Sequence, residues 1–434
     1  MSGQMVVDDG PARGFRTEGA RDAGFDPNAL RRAFGVLEKW IAQGVLPGAA
    51  ALVARGGQVA GEAYLGLAHR AERRPVDSDT IWGLASITKP VTATAVMLMA
   101  ERGVCSLDEP LGDLLPEFLD LPEFLDTRAM AFDRRSVTLR HVLAHCSGLP
   151  GFSPDNLDLR RAYAPLEAFV RSFRVQPLLF APGALHCYSN VGILMAAEVV
   201  GRAATGTLRQ RVERPAIAQY HPFVQQHILA PLGMTGSALP PPPEWAARIA
   251  WVEQTGQEGE DWEMANTAYY RSLGIPWGGL FSRPRDLVRF ADLFLPAAGG
   301  RQRIGVAAAS MVSGPHIVSP ATARVMTTAQ FAPPDAPPDI APELRDGTPP
   351  SALRPEVAWG IGWEVKGTKG SHPSGELTSA ATYGHGGSTG TMVWADPATD
   401  IVCVLLTNRA LASGWTDERP RQSLFSNAVM AAAL

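Results

Sequence analysis

The sequence predicts an α/β (α+β) fold in which strands from both ends of the chain enclose a helical middle. Two observations carry this. Apolar or alternating runs at residues 49–64, 360–366, 389–395 and 401–407 read as strands. Between them, the stretch to about residue 330 alternates helical periodicity with Pro/Gly loops. Such an order fits one α/β domain built from both termini with a helical lobe inserted. The expected division is 25–85 with 356–434 as the α/β sandwich and 86–355 as the mostly helical lobe, after a polar lead over 1–24.

Each element has a local reason. Leu30, Phe34, Leu37, Trp40 and Ile41 form one stripe, so residues 27–43 read as a helix. Arg55, Gly56 and Gly57 make the turn between two strands within 49–64. A helix is expected from Ser86 to Arg102, with Pro90 tolerated in its first turn, where no internal amide bond is lost. Residues 191–202, 222–232 and 284–295 are the clearest later helices, and 422–434 suggests a last one. A proline-rich stretch over 333–355 reads as an irregular loop: a candidate lid, an oligomer contact or an inert insertion.

Bulk properties exclude several function classes. With 434 residues and 46% hydrophobic content the chain can bury a sizeable core. A formal net charge of -4 and no basic stripe argue against nucleic-acid binding. No apolar run is long enough to span a bilayer, and the first residues lack a basic and then apolar leader. Cys105, Cys146, Cys187 and Cys403 are scattered, so reduced thiols and a cytoplasmic location are expected. By alternation Cys187 should point away from Tyr188. His141 and His145 are four apart, but no Glu or third ligand completes a metal site; no metal and no cofactor is expected. A structural role is expected for both histidines.

The chemistry concentrates at three points. Ser86 and Lys89 are three residues apart, facing the same way on a helix. A serine hydroxyl needs a base to take its proton, and a buried lysine can be that base. Lowering a lysine pKa from 10.4 to about 7 corresponds to roughly 4–5 kcal/mol between its protonation states. A helix start followed by a surface lysine has the same spacing, so this pair gains meaning only beside two later motifs. Tyr188, Ser189 and Asn190 come after a Pro-Gly turn and before an apolar helix. A phenol there can reach into a cleft, and a nearby ammonium would ease its ionisation; a half-buried structural tyrosine is the alternative. His385, Gly386 and Gly387 lead into a strand, where glycines admit a close backbone approach and a strand-edge N–H can serve an oxyanion; taken alone, these glycines read as a turn.

The ordered set Ser-x-x-Lys, Tyr-x-Asn and His-Gly-Gly resembles the serine β-lactamase-like hydrolases: class C β-lactamases, DD-peptidases and, closest in motifs, family VIII carboxylesterases. Residues 137–150, 228–234, 277–282 with Asp286, and 359–363 fall in that family's order, and the resemblance spans roughly residues 25–410. It implies an antiparallel sheet flanked by helices beside a mostly helical lobe, with the catalytic cleft between them. It also implies Ser86 as nucleophile, Lys89 with Tyr188 as general base, and the backbone N–H groups of Ser86 and Ser388 as oxyanion hole. Asn190 is expected to orient Lys89 or the substrate. His385 is expected to hydrogen-bond Tyr188 or border the leaving group.

One departure narrows the substrate. Penicillin-recognising members carry Lys-Thr-Gly where this chain has His385, Gly386 and Gly387. The fixed cation that pairs with a substrate carboxylate is therefore missing. The same region contains a Gly-x-Ser-x-Gly string at Gly386–Gly390, but a strand follows it and no histidine lies downstream, so it does not read as a nucleophile elbow. The expected partner is a small-molecule acyl ester, hydrolysed through a Ser86 acyl-enzyme. Alternatives are an acyltransferase or amidase, then a β-lactamase or DD-peptidase, and from another class a catalytically silent binding protein. A homodimer stays open as the assembly.

Overall fold

The computed structural model describes residues 13–121, 132–253, 264–296, 315–331, 358–369, 372–411 and 419–434. The proline-rich stretch over 333–355 lies outside them. The main sheet has eight antiparallel strands, drawn from both ends of the chain. From the N-terminal part come β1 (Gly14–Arg16), β2 (Gly48–Arg55), β3 (Gln58–His69) and β4 (Arg74–Pro75). A small separate pair joins β5 (Trp82–Gly83) to β6 (Phe281–Ser282). The C-terminal part supplies β7 (Glu364–Val365), β8 (Tyr383–Gly387), β9 (Thr391–Asp396) and β10 (Ile401–Thr407). The order across the sheet is β1-β3-β2-β10-β9-β8-β7, with β4 on β3.

The two halves meet where β10 pairs with β2, from Ile401 opposite Arg55 to Thr407 opposite Ala49. Both strands are buried on both faces, and their alternation feeds two cores. Ala49, Ala51, Val53, Ile401, Cys403 and Leu405 pack under the helices Pro27–Ala42 and Arg419–Met430. Ala50, Leu52, Val402, Val404 and Leu406 face the larger core shared with the helical middle. That core encloses two buried helices, Thr88–Glu101 and Asn190–Thr205, packed against one another. Apolar residues on all sides of both helices explain why neither keeps a solvent face.

Several expectations shift by identifiable causes. The lead over 1–24 contains an edge strand, β1, whose Gly14, Phe15 and Arg16 pair with Tyr64, Ala63 and Glu62 of β3. The strand expected over 360–366 shrinks to β7, because Gly362 turns at φ 78° over Ala93 of the helix Thr88–Glu101. The helix expected over 222–232 is Tyr220–Val224 continued by a π-turn over Gln225–Leu229. The last helix begins earlier than expected and spans Arg419–Met430. All four cysteines are free and buried, and Cys187 packs with Phe180. Among the described residues no helix is long and apolar enough to cross a membrane, and no group of His, Cys, Asp or Glu could hold a metal ion.

Candidate active site

Ser86 sits not in the helix but in a single 3-10 turn, Ala85–Ile87, that precedes Thr88–Glu101. Ala85 holds φ 48°, a left-handed conformation that costs a non-glycine residue about 1–3 kcal/mol. The surrounding bonds hold it there. Thr88 Oγ1 donates to the Ala85 carbonyl at 2.7 Å and accepts from Leu280 N–H at 3.0 Å. Leu84 N–H donates to the Leu280 carbonyl at 2.9 Å, continuing the β5–β6 pairing. The outcome is a half-buried Ser86 on a rigid turn at a helix N-terminus.

Lys89 is fully buried one turn on. Its Nζ lies 2.9 Å from Ser86 Oγ and donates to the Trp277 carbonyl at 2.9 Å. Burial holds its pKa well below the ordinary lysine value. A neutral amine in that place can accept the serine proton while still donating to Trp277. The ring of Tyr188 lies under the amine, 4.6 Å from Nζ to ring centroid.

Tyr188 is aimed by the segment around residues 145–151. Cys187 N–H donates to the His145 carbonyl at 2.7 Å, and Asn190 N–H to the Gly151 carbonyl at 3.0 Å. Ser189 caps the helix Asn190–Thr205: its Oγ accepts from Gly192 N–H at 3.0 Å and donates to the Pro150 carbonyl at 2.7 Å. The Tyr188 hydroxyl is enclosed, and burial raises its pKa far above the ordinary phenol value. The Ser86 hydroxyl offsets part of that rise without completing a well-aligned hydrogen bond. The easier ionisation expected beside an ammonium does not appear: desolvation is the largest influence on Tyr188, which stays a neutral phenol. Asn190 is buried as the first residue of its helix, but the two bonds of Lys89 go to Ser86 and Trp277 rather than to its amide.

The third motif lies on β8. Its following turn is fastened to the segment before Ser86: Thr389 Oγ1 donates to the Gly83 carbonyl at 2.6 Å and Thr391 Oγ1 to the Leu84 carbonyl at 3.0 Å. A Cβ on Gly387 would run into the Leu84 carbonyl, so only glycine allows this approach. Ser388 is the exposed first residue of that turn, and the chain then continues into β9. A strand–turn–strand hairpin is not a nucleophile elbow, as the sequence anticipated.

His385 is buried, and its Nδ1 donates to the Gly386 carbonyl at 2.7 Å rather than bonding Tyr188. That corrects the expected Tyr188 bond: the imidazole is held by its own strand. Burial first, then the Lys89 charge, push its pKa down to about 4.

Three neighbours were not singled out as site residues. His145 is fully buried, with its ring centroid 4.4 Å from that of Tyr188, so its structural role is played inside the site. His141 by contrast closes a capping box with Thr138 at the start of Leu139–Leu143. Trp359 packs edge-on against Tyr188, His145 and His385. Glu364, ion-paired with Lys369 at 2.9 Å, acts on both Tyr188 and His385 through its charge. The ordered landmarks at 137–150 and 359–363 contain His145 and Trp359, and Glu364 follows directly on the second.

The structure thus brings a serine, a desolvated lysine and an enclosed tyrosine together beside a glycine-lined strand edge. The Beta-lactamase family model covers residues 35–424. The chain belongs to the Beta-lactamase family. Esterase EstB of Burkholderia gladioli is 33% identical over 234 residues, which is 49% of this chain and 54% of that protein. The chain thus aligns with only about half of that relative's length. A family VIII carboxylesterase structure aligns with 93% of this chain and 97% of its own, at TM-score 0.66 and 19% identity. A structure described as EstCE1, a hydrolase with promiscuous acyltransferase activity, aligns with 93% of this chain and 99% of its own, at TM-score 0.66 and 20% identity. These likenesses support the antiparallel sheet with helices of the β-lactamase and penicillin-binding protein type.

Proposed function

We propose that the protein is a serine carboxylesterase acting on small acyl esters. The observation that carries this is the 2.9 Å contact between Ser86 Oγ and a fully buried, pKa-depressed Lys89. Neutral Lys89 takes the Ser86 proton as Oγ attacks the ester carbonyl carbon. The backbone N–H groups of Ser86 and Ser388 receive the negative oxygen of the tetrahedral intermediate. On collapse the C–O bond to the alcohol breaks and the proton passes from Lys89, by way of the Tyr188 hydroxyl, to the leaving oxygen. Water then repeats the sequence on the acyl-enzyme and releases the acid. Asn190 and the Gly386–Gly387 backbone border the substrate.

The esterase among the relatives supports ester over β-lactam substrates, and so does a third motif without a fixed cation. Cytoplasmic location and action without metal or cofactor complete the reading. Fluorophosphonate labelling of wild type and Ser86→Ala, read by intact mass beside p-nitrophenyl butyrate turnover, tests it. Label and turnover should vanish together in the variant. A variant that still labels would move the nucleophile elsewhere, and an unlabelled, inactive wild type would leave a binding protein on this scaffold.

A further inference from the structure

The hydrogen-bond partners of the two imidazoles beside Tyr188 fix their tautomers. His385 Nδ1 faces the Gly386 carbonyl at 2.7 Å, and a carbonyl oxygen only accepts. Nδ1 therefore carries the hydrogen, and Nε2 keeps a bare lone pair. At His145 the logic runs the other way: Ser189 N–H donates to Nδ1 at 3.1 Å, so Nε2 carries the hydrogen.

His385 Nε2 is enclosed and has no protein hydrogen-bond partner among the described residues. A buried polar atom left so costs about 1–3 kcal/mol unless something satisfies it. Strand alternation places the His385 side chain on the same face of β8 as Tyr383, which packs into the helical core with Trp363 and Phe294. That face looks toward Lys89, whose charge acts on the imidazole, and toward Tyr188, whose ring centroid is 6.2 Å away. Ser388 lies just past the end of the same strand. Protonating Nε2 would turn it into a donor, but burial, the largest influence on this imidazole, opposes that at neutral pH.

We propose that His385 is a specificity-determining residue whose Nε2 accepts a hydrogen bond from a hydroxyl on the substrate. This rests on the esterase reading and deepens it: the preferred substrates are esters with a free hydroxyl near the scissile bond, on the acid or the alcohol half. An ester bearing a carboxylate is disfavoured, because its oxygens would meet a lone pair.

The test compares kcat/KM for propyl butyrate with that for 2,3-dihydroxypropyl butyrate and for propyl 3-hydroxybutyrate, in wild type, His385→Phe and His385→Gln, with folding checked by circular dichroism. Wild type should prefer at least one hydroxylated ester by about tenfold, the value of one good hydrogen bond. Which ester is preferred tells which half carries the hydroxyl. His385→Phe should bring the ratio close to one, and His385→Gln, whose amide oxygen accepts, should keep part of it. A wild-type ratio near one overturns the proposal even if His385→Phe fails to fold, and so does an unchanged ratio in a folded His385→Phe. Turnover of propyl butyrate that depends on Ser86 but shows no hydroxyl preference refutes this inference alone. Loss of all turnover and labelling in wild type refutes the esterase reading and this inference with it.

Discussion

Lys89 Nζ donates to the main-chain carbonyl of Trp277 at 2.9 Å, and this single bond ties the base to the loop that also lines the nucleophile turn. The carbonyl holds the amine in place without supplying a negative charge to stabilise its protonated form. Desolvation is then the dominant influence on Lys89, and its pKa falls. Because the proposed reaction needs the neutral amine, kcat/KM should rise with pH through the depressed pKa of Lys89 and level off before the ordinary lysine value of 10.5. The raised Tyr188 pKa means that no descending limb from phenol ionisation should appear below the ordinary phenol value of 10.0. A pH–rate profile with p-nitrophenyl butyrate, corrected for spontaneous hydrolysis, reads both limbs. Lys89→Ala should lower kcat by roughly 10²–10⁴-fold, the usual weight of a general base. A rising limb centred near the ordinary lysine value would show that Lys89 is not desolvated in solution.

The turn after β8 should be the most sensitive part of the site outside the three reacting groups. Thr389 and Thr391 hold it to Gly83 and Leu84. Replacing Thr391 by Val keeps the shape but removes the donor to the Leu84 carbonyl, with an expected stability loss of about 1 kcal/mol. Turnover should fall further than that figure suggests, because the turn and the nucleophile are then free to drift apart. Gly387→Ala should be more severe, since its methyl would collide with the Leu84 carbonyl. Thermal melts beside kcat and KM for each variant check this: a small change in Tm with a large fall in kcat is expected for Thr391→Val. Equal losses in both would point to general destabilisation.

Much of this arrangement is legible in the chain itself, for physical reasons. β2 and β10 are long, apolar and flanked by turn residues, so pattern alone finds them. The helix Pro27–Ala42 announces itself by one apolar stripe, and the structure adds an Asp26 cap that accepts from Ala29 N–H at 2.6 Å. β1 escapes because three residues carry no period, and its place comes from pairing with β3, far along the chain. β7 is shorter than the strand expected over 360–366 because Gly360 and Gly362 bring the chain against Met326 and Ala93, contacts invisible before folding.

At the site, the order of the motifs and the resemblance it carries single out Ser86, Lys89, Tyr188 and His385, and the structure brings the four side chains together. Their protonation states are not read from that order, because these depend on burial that no local pattern reports. The Tyr188 phenol shows this most plainly: a lysine amine over its ring suggests easy ionisation, yet enclosure of its oxygen raises its pKa. His145 and Trp359 belong to the site only through contacts between segments distant in the sequence.

Acid should weaken the fold through the histidines around Tyr188. His385 has its pKa pushed down from 6.5 to about 4, and His145 is also shifted well below its ordinary value. A depressed imidazole pKa means that the unfolded chain binds the proton more readily. The native state therefore has its full advantage above about pH 6.5 and loses it as pH falls toward 4. For His385 alone this amounts to roughly 3 kcal/mol across that window. Urea denaturation at neutral pH and again close to the His385 pKa should show the drop. His385→Phe, which has no proton to take up, should flatten the slope between the two. An identical slope in the variant would place the acid sensitivity elsewhere.

Ser388 offers the sharpest separation of side-chain from main-chain chemistry. Its side chain is exposed at the start of the hairpin turn, and the proposed oxyanion contact uses only its N–H. Ser388→Ala leaves that N–H in place, so kcat should change by less than about threefold, in keeping with a surface substitution worth within about 0.5 kcal/mol. Ser388→Pro removes the donor, and kcat should fall by about 10²–10³, the cost of one oxyanion-hole donor. The β8–β9 pairing beyond the turn, and Leu411 N–H donating to the Ser388 carbonyl at 2.8 Å, do not use the lost hydrogen. Melting temperature and fluorophosphonate labelling rate, measured beside kcat, keep the two effects apart. A folded Ser388→Pro protein with normal turnover would remove Ser388 from the oxyanion hole. A dead Ser388→Ala would mean that the hydroxyl itself takes part, and would reopen Gly386–Gly390 as a nucleophile segment.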